Sequence, residues 1–212
     1  FVHTHTITAG QVVMCTNGFE HITIENPKGK DINTAFHQGV HGYIGYMSGY
    51  REPLERAPIA ISYSRSNEVQ DNETETYYYM TRRPFDSTQV PSNLISVGGP
   101  GRPLENHEEY RRESGTDADA ALRIDMFLKE NYRHHADNTQ YEFHWHGLMG
   151  YTPDALRRIG FEPRNPVLLY NLGCNGVGIL PSVYGGVKIA RHLADEEVPP
   201  SIFDPKDLDQ RT

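Results

Sequence analysis

Val167-Leu168-Leu169-Tyr170 leads through Asn171-Leu172 into Gly173-Cys174-Asn175-Gly176-Val177-Gly178, and Pro181-Ser182 then opens a run carrying Val183, Gly186, Val187, Ala190 and Leu193. A short continuous apolar run bounded by turn residues reads as a strand buried on both faces, as in a parallel sheet. Spacings of three and four put the last five residues on one helix face, with Ser182 as the cap. Strand, glycine turn, helix is therefore the local order. A second apolar run, Gln11-Val12-Val13-Met14-Cys15, closed by Thr16-Asn17-Gly18, fits the same kind of sheet.

A glycine-rich turn lets backbone approach a ligand closely, and the helix after it points free N–H groups and its positive end at an anion. The spacing Gly173-x-x-Gly176-x-Gly178 reverses the G-x-G-x-x-G fingerprint, and no later strand supplies an acidic ribose ligand. On spacing alone, glycines serving a tight turn and close helix–strand packing explain the loop equally well.

Outside these runs the pattern changes. Residues 40–50 are aromatic and glycine-rich (Gly42, Tyr43, Gly45, Tyr46, Gly49, Tyr50), and β-like runs follow over 59–64, 74–81 and 94–97. One large antiparallel sheet accounts for residues 36–98, ended by Pro100-Gly101-Arg102-Pro103, with a further strand over 140–149. A short helix is expected over 105–112. A longer one is capped by Thr116, with Ala121, Ile124, Leu128 and Tyr132 on one face. Residues 2–8 and 11–15 read as two strands joined at Ala9-Gly10. The fold class is α+β with an α/β part: a large mainly antiparallel sheet with flanking helices, beside a smaller parallel layer.

The 212 residues carry a formal charge of −8, which argues against nucleic acid as a partner, because that affinity rests on Lys and Arg neutralising phosphates. No apolar run approaches the roughly 18 residues of a membrane span. Two cysteines, Cys15 and Cys174, make no disulfide framework and suit packed thiols in a reducing, cytoplasmic setting. The chain opens at Phe1 in mid-pattern, so it is expected to be a piece of a longer protein.

Several clusters invite chemistry. His144 and His146 share a strand face and supply two metal ligands, but a catalytic site needs a third, and 11 histidines are scattered along the chain. His3-x-His5 and His134-His135 read as solvated. Tyr77-Tyr78-Tyr79-Met80-Thr81-Arg82-Arg83 puts rings on both strand faces with cations at the end: either sheet packing with an exposed basic tip, or an anion pocket.

Taken in order, the segment 11–18, a long insert, Trp145-x-Gly147, Thr152-Pro153-Asp154, Ile159-Gly160 and the Gly173–Gly178 loop before a helix with Ala190 resemble the C-terminal half of the D-amino-acid oxidase/glycine oxidase superfamily of FAD-dependent oxidoreductases. The resemblance spans about residues 5–195. It implies that 1–35 and 150–212 belong to a partial, Rossmann-like FAD-binding domain whose N-terminal dinucleotide loop lies elsewhere in the protein, and that 36–149 form a substrate-binding domain. It implies non-covalent FAD held near Thr16, Asn17, Gly18, Asp154, Gly173, Asn175, Gly176, Val177, Gly178 and Ile179. The substrate pocket it implies contains Tyr79, Arg82, Trp145 and His146. The activity it implies is oxidation of an amine or amino-acid-like small molecule by hydride transfer to flavin, with this chain alone inactive. No cysteine lies between Gln140 and Pro153 for covalent flavin attachment, and Leu180 stands where some members place a carboxylate-gripping lysine, leaving that task to Arg82 or Arg83. The competing readings are a non-catalytic, sheet-rich domain for a small ligand and a metal enzyme built on His144 and His146.

Overall fold

The computed structural model describes residues 8–18, 24, 25, 39–64, 77–85, 91–105, 110–133, 135 and 139–206. In chain order the elements are β1 (Val12–Met14), β2 (His41–Pro53), β3 (Ile59–Ser64), β4 (Tyr77–Phe85), β5 (Ser92–Pro103), α1 (Ala118–Asn131), β6 (Tyr141–Tyr151), β7 (Arg158–Glu162), β8 (Asn165–Leu172) and α2 (Ile179–Leu193). The chain divides into two compact units. The first comprises Phe1–Tyr43, Leu104–Glu109 and Leu148–Thr212, the second Ile44–Pro103 and Tyr110–Gly147.

In the second unit the aromatic runs build a five-stranded sheet in the order β3-β4-β5-β2-β6, with β3–β4 and β4–β5 antiparallel. Alternation along β2 buries Ile44, Tyr46 and Ser48 on one face, as period two requires. Helix α1 packs on this sheet, and Ile124, Phe127 and Leu128 join Met80, Ile95 and Val97 in one core. Phe127 stacks on Tyr78 at 4.2 Å and meets Tyr63 edge-on at 5.0 Å. β5 continues as strand through Pro103, so Pro100 does not end the sheet. Its register with β4 stops at Gly98, but β2 still lines its other edge.

The cap of α1 is Asp117, not Thr116; its carboxylate accepts from the amides of Asp119 and Ala120 at 2.9 and 3.2 Å. The buried face is Ala120, Ile124, Phe127 and Leu128: Ala120 replaces the expected Ala121, Phe127 is added, and Tyr132 is the C-cap, half-buried beyond the helix. Of the helix expected over 105–112, residues 106–109 lie outside the described residues; beyond them, Arg111 to Ser114 form a turn closed by the Ser114 amide on the Arg111 carbonyl. Residues 1–7, expected as a strand, also lie outside them.

The first unit holds a three-stranded sheet, β1-β8-β7. β1 runs parallel to β8 with Val12, Val13 and Met14 opposite Leu168, Leu169 and Tyr170. The parallel pairing follows the expectation, but burial on both faces does not. β1 lies at the edge of the sheet, Val12 and Val13 are exposed, and only Met14 enters the core with Val40, Tyr170 and Leu172. β7, antiparallel to β8, was not legible as a strand from Ile159-Gly160 alone. Helix α2 starts earlier than expected, with Gly178 at its cap and no capping side chain, so Ser182 lies inside it. Its buried positions are Gly185, Lys188 and Ile189, whereas Val183, Val187 and Leu193 of the expected face are exposed. The helix turns a polar-bearing face inward: Lys188, almost fully buried, pairs with Asp204 and donates to Ser201 Oγ at 3.0 Å.

Candidate functional site

Three segments of the first unit converge, 16–18, 148–152 and 173–178, and two asparagines tie them. After β1, Asn17 takes a left-handed conformation (φ +53°), accepts from the Gly150 amide at 3.0 Å and donates to the Leu148 carbonyl at 3.3 Å. After β8, Asn175 (φ +47°) accepts from the Thr152 amide at 2.8 Å and its hydroxyl at 3.2 Å, while its own amide donates to Gly150 O at 3.0 Å. Asn side chains suit this task because they tolerate left-handed backbone and carry both donor and acceptor. Gly18 and Gly150 allow the close approach: a Cβ on Gly18 would overlap the Met149 carbonyl, and one on Gly150 would lie 2.8 Å from Asn17 Oδ1. Thr16 Oγ1 is buried and has no hydrogen-bond partner among the described residues.

The Gly173–Gly178 loop leaves this knot and enters α2. Gly173 (φ +78°) and Gly176 (φ +75°) occupy backbone that glycine alone adopts freely, and a Cβ on Gly176 would stand 2.9 Å from the Tyr151 hydroxyl. Val177 and Ile179 are largely exposed. α2 has no side-chain cap and no acidic residue in its first turn, so its own residues leave its positive end uncompensated. Thr16, Asn17, Gly18, Gly173 and Asn175–Ile179 are thus brought into one neighbourhood with Gly150 and Thr152. Asp154 stands on its own business: it binds Arg158 at 3.1 and 3.2 Å and accepts from the Leu156 amide. Burial opposes its charge, but these bonds prevail and hold its carboxyl below the usual range.

Sequence reading missed Arg157, whose residue is buried beneath the loop and whose Nη2 donates to Asn171 Oδ1 and Ser182 Oγ, each at 3.0 Å. An arginine beside a second arginine at the start of a short strand gives no pattern signal for burial.

The second unit distributes its expected pocket residues. Tyr79 lies against Tyr77 and fills the space over Gly98. Arg82 is not part of an exposed tip: its side chain is 12% exposed, ion-paired to Glu52, and donates to the Ala57 carbonyl. With Tyr50, Arg51, Arg56, Tyr132, His135 and Glu142 it lines a cavity of about 400 Å³ that includes neither Trp145 nor His146. Burial, then Glu52, pushes the Tyr50 hydroxyl up to about 12. Trp145 is half exposed and its ring covers Gly147. His146 donates from Nε2 to the Ser114 carbonyl at 2.7 Å, and His144 Nδ1 bonds Ser48 at 2.9 Å. Among the described residues no three His, Cys, Asp or Glu side chains are grouped to hold a metal. His135 is not solvated: its side chain is fully buried with Nε2 on Asp125 at 3.0 Å. The cysteines are unpaired, Cys15 exposed and Cys174 half-buried.

No protein-family model matches the chain. No curated protein matches it either. Solved structures do. Fructosyl amine:oxygen oxidoreductase (amadoriase I) from Aspergillus fumigatus matches with TM-score 0.59 and 13% identity over 93% of this chain and 48% of that one. Glycine oxidase from Geobacillus kaustophilus matches with TM-score 0.54 and 16% identity over 80% and 40%. Iminodiacetate oxidase from Chelativorans sp. BNC1 matches with TM-score 0.51 and 14% identity over 85% and 48%. The chain spans less than half the length of these oxidases, and its fold is the one they have over that part. No helix of the described residues is long and apolar enough to cross a membrane.

Proposed function

We propose that the chain is the C-terminal half of an FAD-dependent oxidoreductase that takes hydride from the carbon of an amine or amino-acid-like substrate. The observation that carries this reading is the Gly173–Gly178 loop, pinned by Asn175 and running into an uncapped helix. Such a loop offers backbone amides and a helix N-terminus to an anionic edge of a planar ring. The residues present fit the cofactor. Thr16 Oγ1 and two nitrogens of Arg157 are buried without partners among the described residues, while the space beside Gly18, Gly150, Gly173, Gly176 and Gly178 is taken up by neighbouring protein atoms. When bound, FAD supplies the two-electron chemistry; the protein orients substrate and tunes charge around the ring.

In this reading the first unit contributes to the flavin domain and the second is the substrate domain. Asn17 and Asn175 hold two turns in register with residues 148–152. Arg82 is committed to Glu52, so in this reading a grip on a substrate carboxylate would fall to the exposed Arg83. The rest of the flavin domain would come from further sequence of the same protein. The deciding experiment is purification of the full-length polypeptide. Yellow protein that releases stoichiometric FAD on denaturation, and that is bleached anaerobically by a member of an amine panel, supports the reading. A colourless, correctly folded full-length protein defeats it and leaves the non-catalytic ligand-binding alternative, for which the cavity beside Arg82 is the natural place.

A further inference from the structure

Arg157 is 5% exposed, yet no carboxylate among the described residues pairs with it. Nη2 makes both of its bonds, to Asn171 and Ser182, while Nε and Nη1 are buried with no partner among the described residues. Nη1 lies 3.9 Å from the Cβ position of Gly178, the residue that caps α2, and the Arg157 Cα lies 3.6 Å from that of Gly173. Arg157 therefore lies against both ends of the glycine loop, its backbone at Gly173 and its guanidinium at Gly178. Burial weakens its hold on a proton, and the groups that act the other way are the thiols of Cys174 and Cys15. An unpaired buried charge is costly, and a stitch between β8 and α2 through Nη2 alone needs an amide, not a cation. The uncapped start of α2 adds partial positive charge at the same loop. Two positive sources converge where no negative group of the described residues answers them.

We propose that Arg157 is a positioning charge for the cofactor: from beneath the loop it stabilises the negative charge that reduction places on the ring's N1–C2=O edge, and so raises the flavin's reduction potential. This rests on the flavin assignment above. In the reaction served, the C–H bond of the amine carbon breaks and its hydride carries two electrons and one proton to N5. The carbon would be left as an iminium and the bound ring with one net negative charge, which the Arg157 guanidinium would stabilise.

The test uses the full-length flavoprotein with Arg157→Gln, which keeps an amide for Asn171 and Ser182, Arg157→Lys, which keeps the charge, and Ser182→Ala, which removes one stitch. Potential, bound FAD and melting temperature are read on the same preparations. The expected result is a reduction equilibrium at least tenfold less favourable in Arg157→Gln, about 30 mV for a two-electron couple, with Arg157→Lys and Ser182→Ala near wild type. If Arg157→Gln loads FAD at the wild-type potential, or if all three variants lose only stability, Arg157 is structural and the inference is overturned while the flavin assignment stands. Should Arg157→Gln not fold, titration of the oxidised ring's N3–H in wild-type protein decides: a pKa below that of free flavin supports a nearby cation, and an unshifted one overturns it. A wild-type protein that holds no flavin defeats the assignment itself.

Discussion

Gly176 combines two constraints that a side chain cannot meet: φ of +75° and a Cβ position 2.9 Å from the Tyr151 hydroxyl. Gly176→Val in the full-length protein should push the loop off its place and remove an amide from the anionic edge. Losing one such donor typically costs about 2.7–4 kcal/mol, or roughly 100- to 1000-fold in rate. The expected outcome is a large loss of flavin occupancy or anaerobic reduction rate with a smaller change in melting temperature. A variant that is unstable yet normally active per flavin-loaded molecule would assign the glycine to packing alone. The glycines and asparagines of this site were legible because left-handed turns demand those residue types. Arg157 was not, because nothing local distinguishes it from Arg158 beside it, which finds its carboxylate partner in Asp154. Arg82 misled for the opposite reason: a basic strand end reads as exposed until its distant partner, Glu52, is known.

Elements hold through a few buried polar ties, and these give predictions of definite sign. Asp125 on α1 accepts from Tyr141 at 2.8 Å, His135 at 3.0 Å and Lys129 at 3.0 Å, fastening the segment after the helix to β6. Burial opposes its charge, but the bonds from His135, Lys129 and Tyr141 prevail, so its carboxyl titrates below the usual range. A depressed carboxyl contributes stability above its unfolded pKa, about 3.9, and that contribution is lost as pH falls through the folded value. Denaturant melts of the chain should therefore weaken for the second unit below about pH 4. Asp125→Asn should flatten that acid dependence and cost about 1.5–3 kcal/mol near neutrality; an unchanged acid slope would exclude Asp125 as its source.

In α2 the Lys188–Asp204 pair is lopsided, with side chains 2% and 37% exposed. Asp204→Ala strands a buried ammonium and should cost about 3–5 kcal/mol. Lys188→Met leaves a carboxylate that reaches water and should cost less, so the order of the two midpoints is the test. That helix also shows why amphipathic spacing placed the wrong face inward. Its apolar stripe was read correctly as a stripe, but a buried lysine paired with Asp204, beyond the helix, took the inner position.

At the scale of the molecule, the first unit exposes apolar side chains on two elements. Val12, Val13 and Val167 are open on the parallel pair β1–β8, and Ile179, Leu180, Val183 and Val187 are open on α2. Parallel sheets are normally covered on both faces; in the proposed reading the rest of the flavin domain would pack against these residues. In the proposed reading the Gly173–Gly178 loop serves the ring, so the adenosine and pyrophosphate of FAD would need a second glycine-rich strand–helix turn, and much of the binding energy would come with it. The large antiparallel sheet and the parallel pairing of β1 with β8 were legible from the change between alternating aromatic runs and continuous apolar ones; the antiparallel β7 that makes the second sheet mixed was not. The open faces were not, because sequence marks a residue as apolar without naming its partner. Residues 1–212 expressed alone should consequently purify colourless, expose apolar surface to a hydrophobic dye such as ANS and self-associate more than the full-length protein does. Adding back the remainder of the protein, as one polypeptide, should remove the dye signal and bring in FAD together. Stoichiometric flavin on residues 1–212 alone would show that the loop and α2 suffice for binding, and that the exposed valines are ordinary surface.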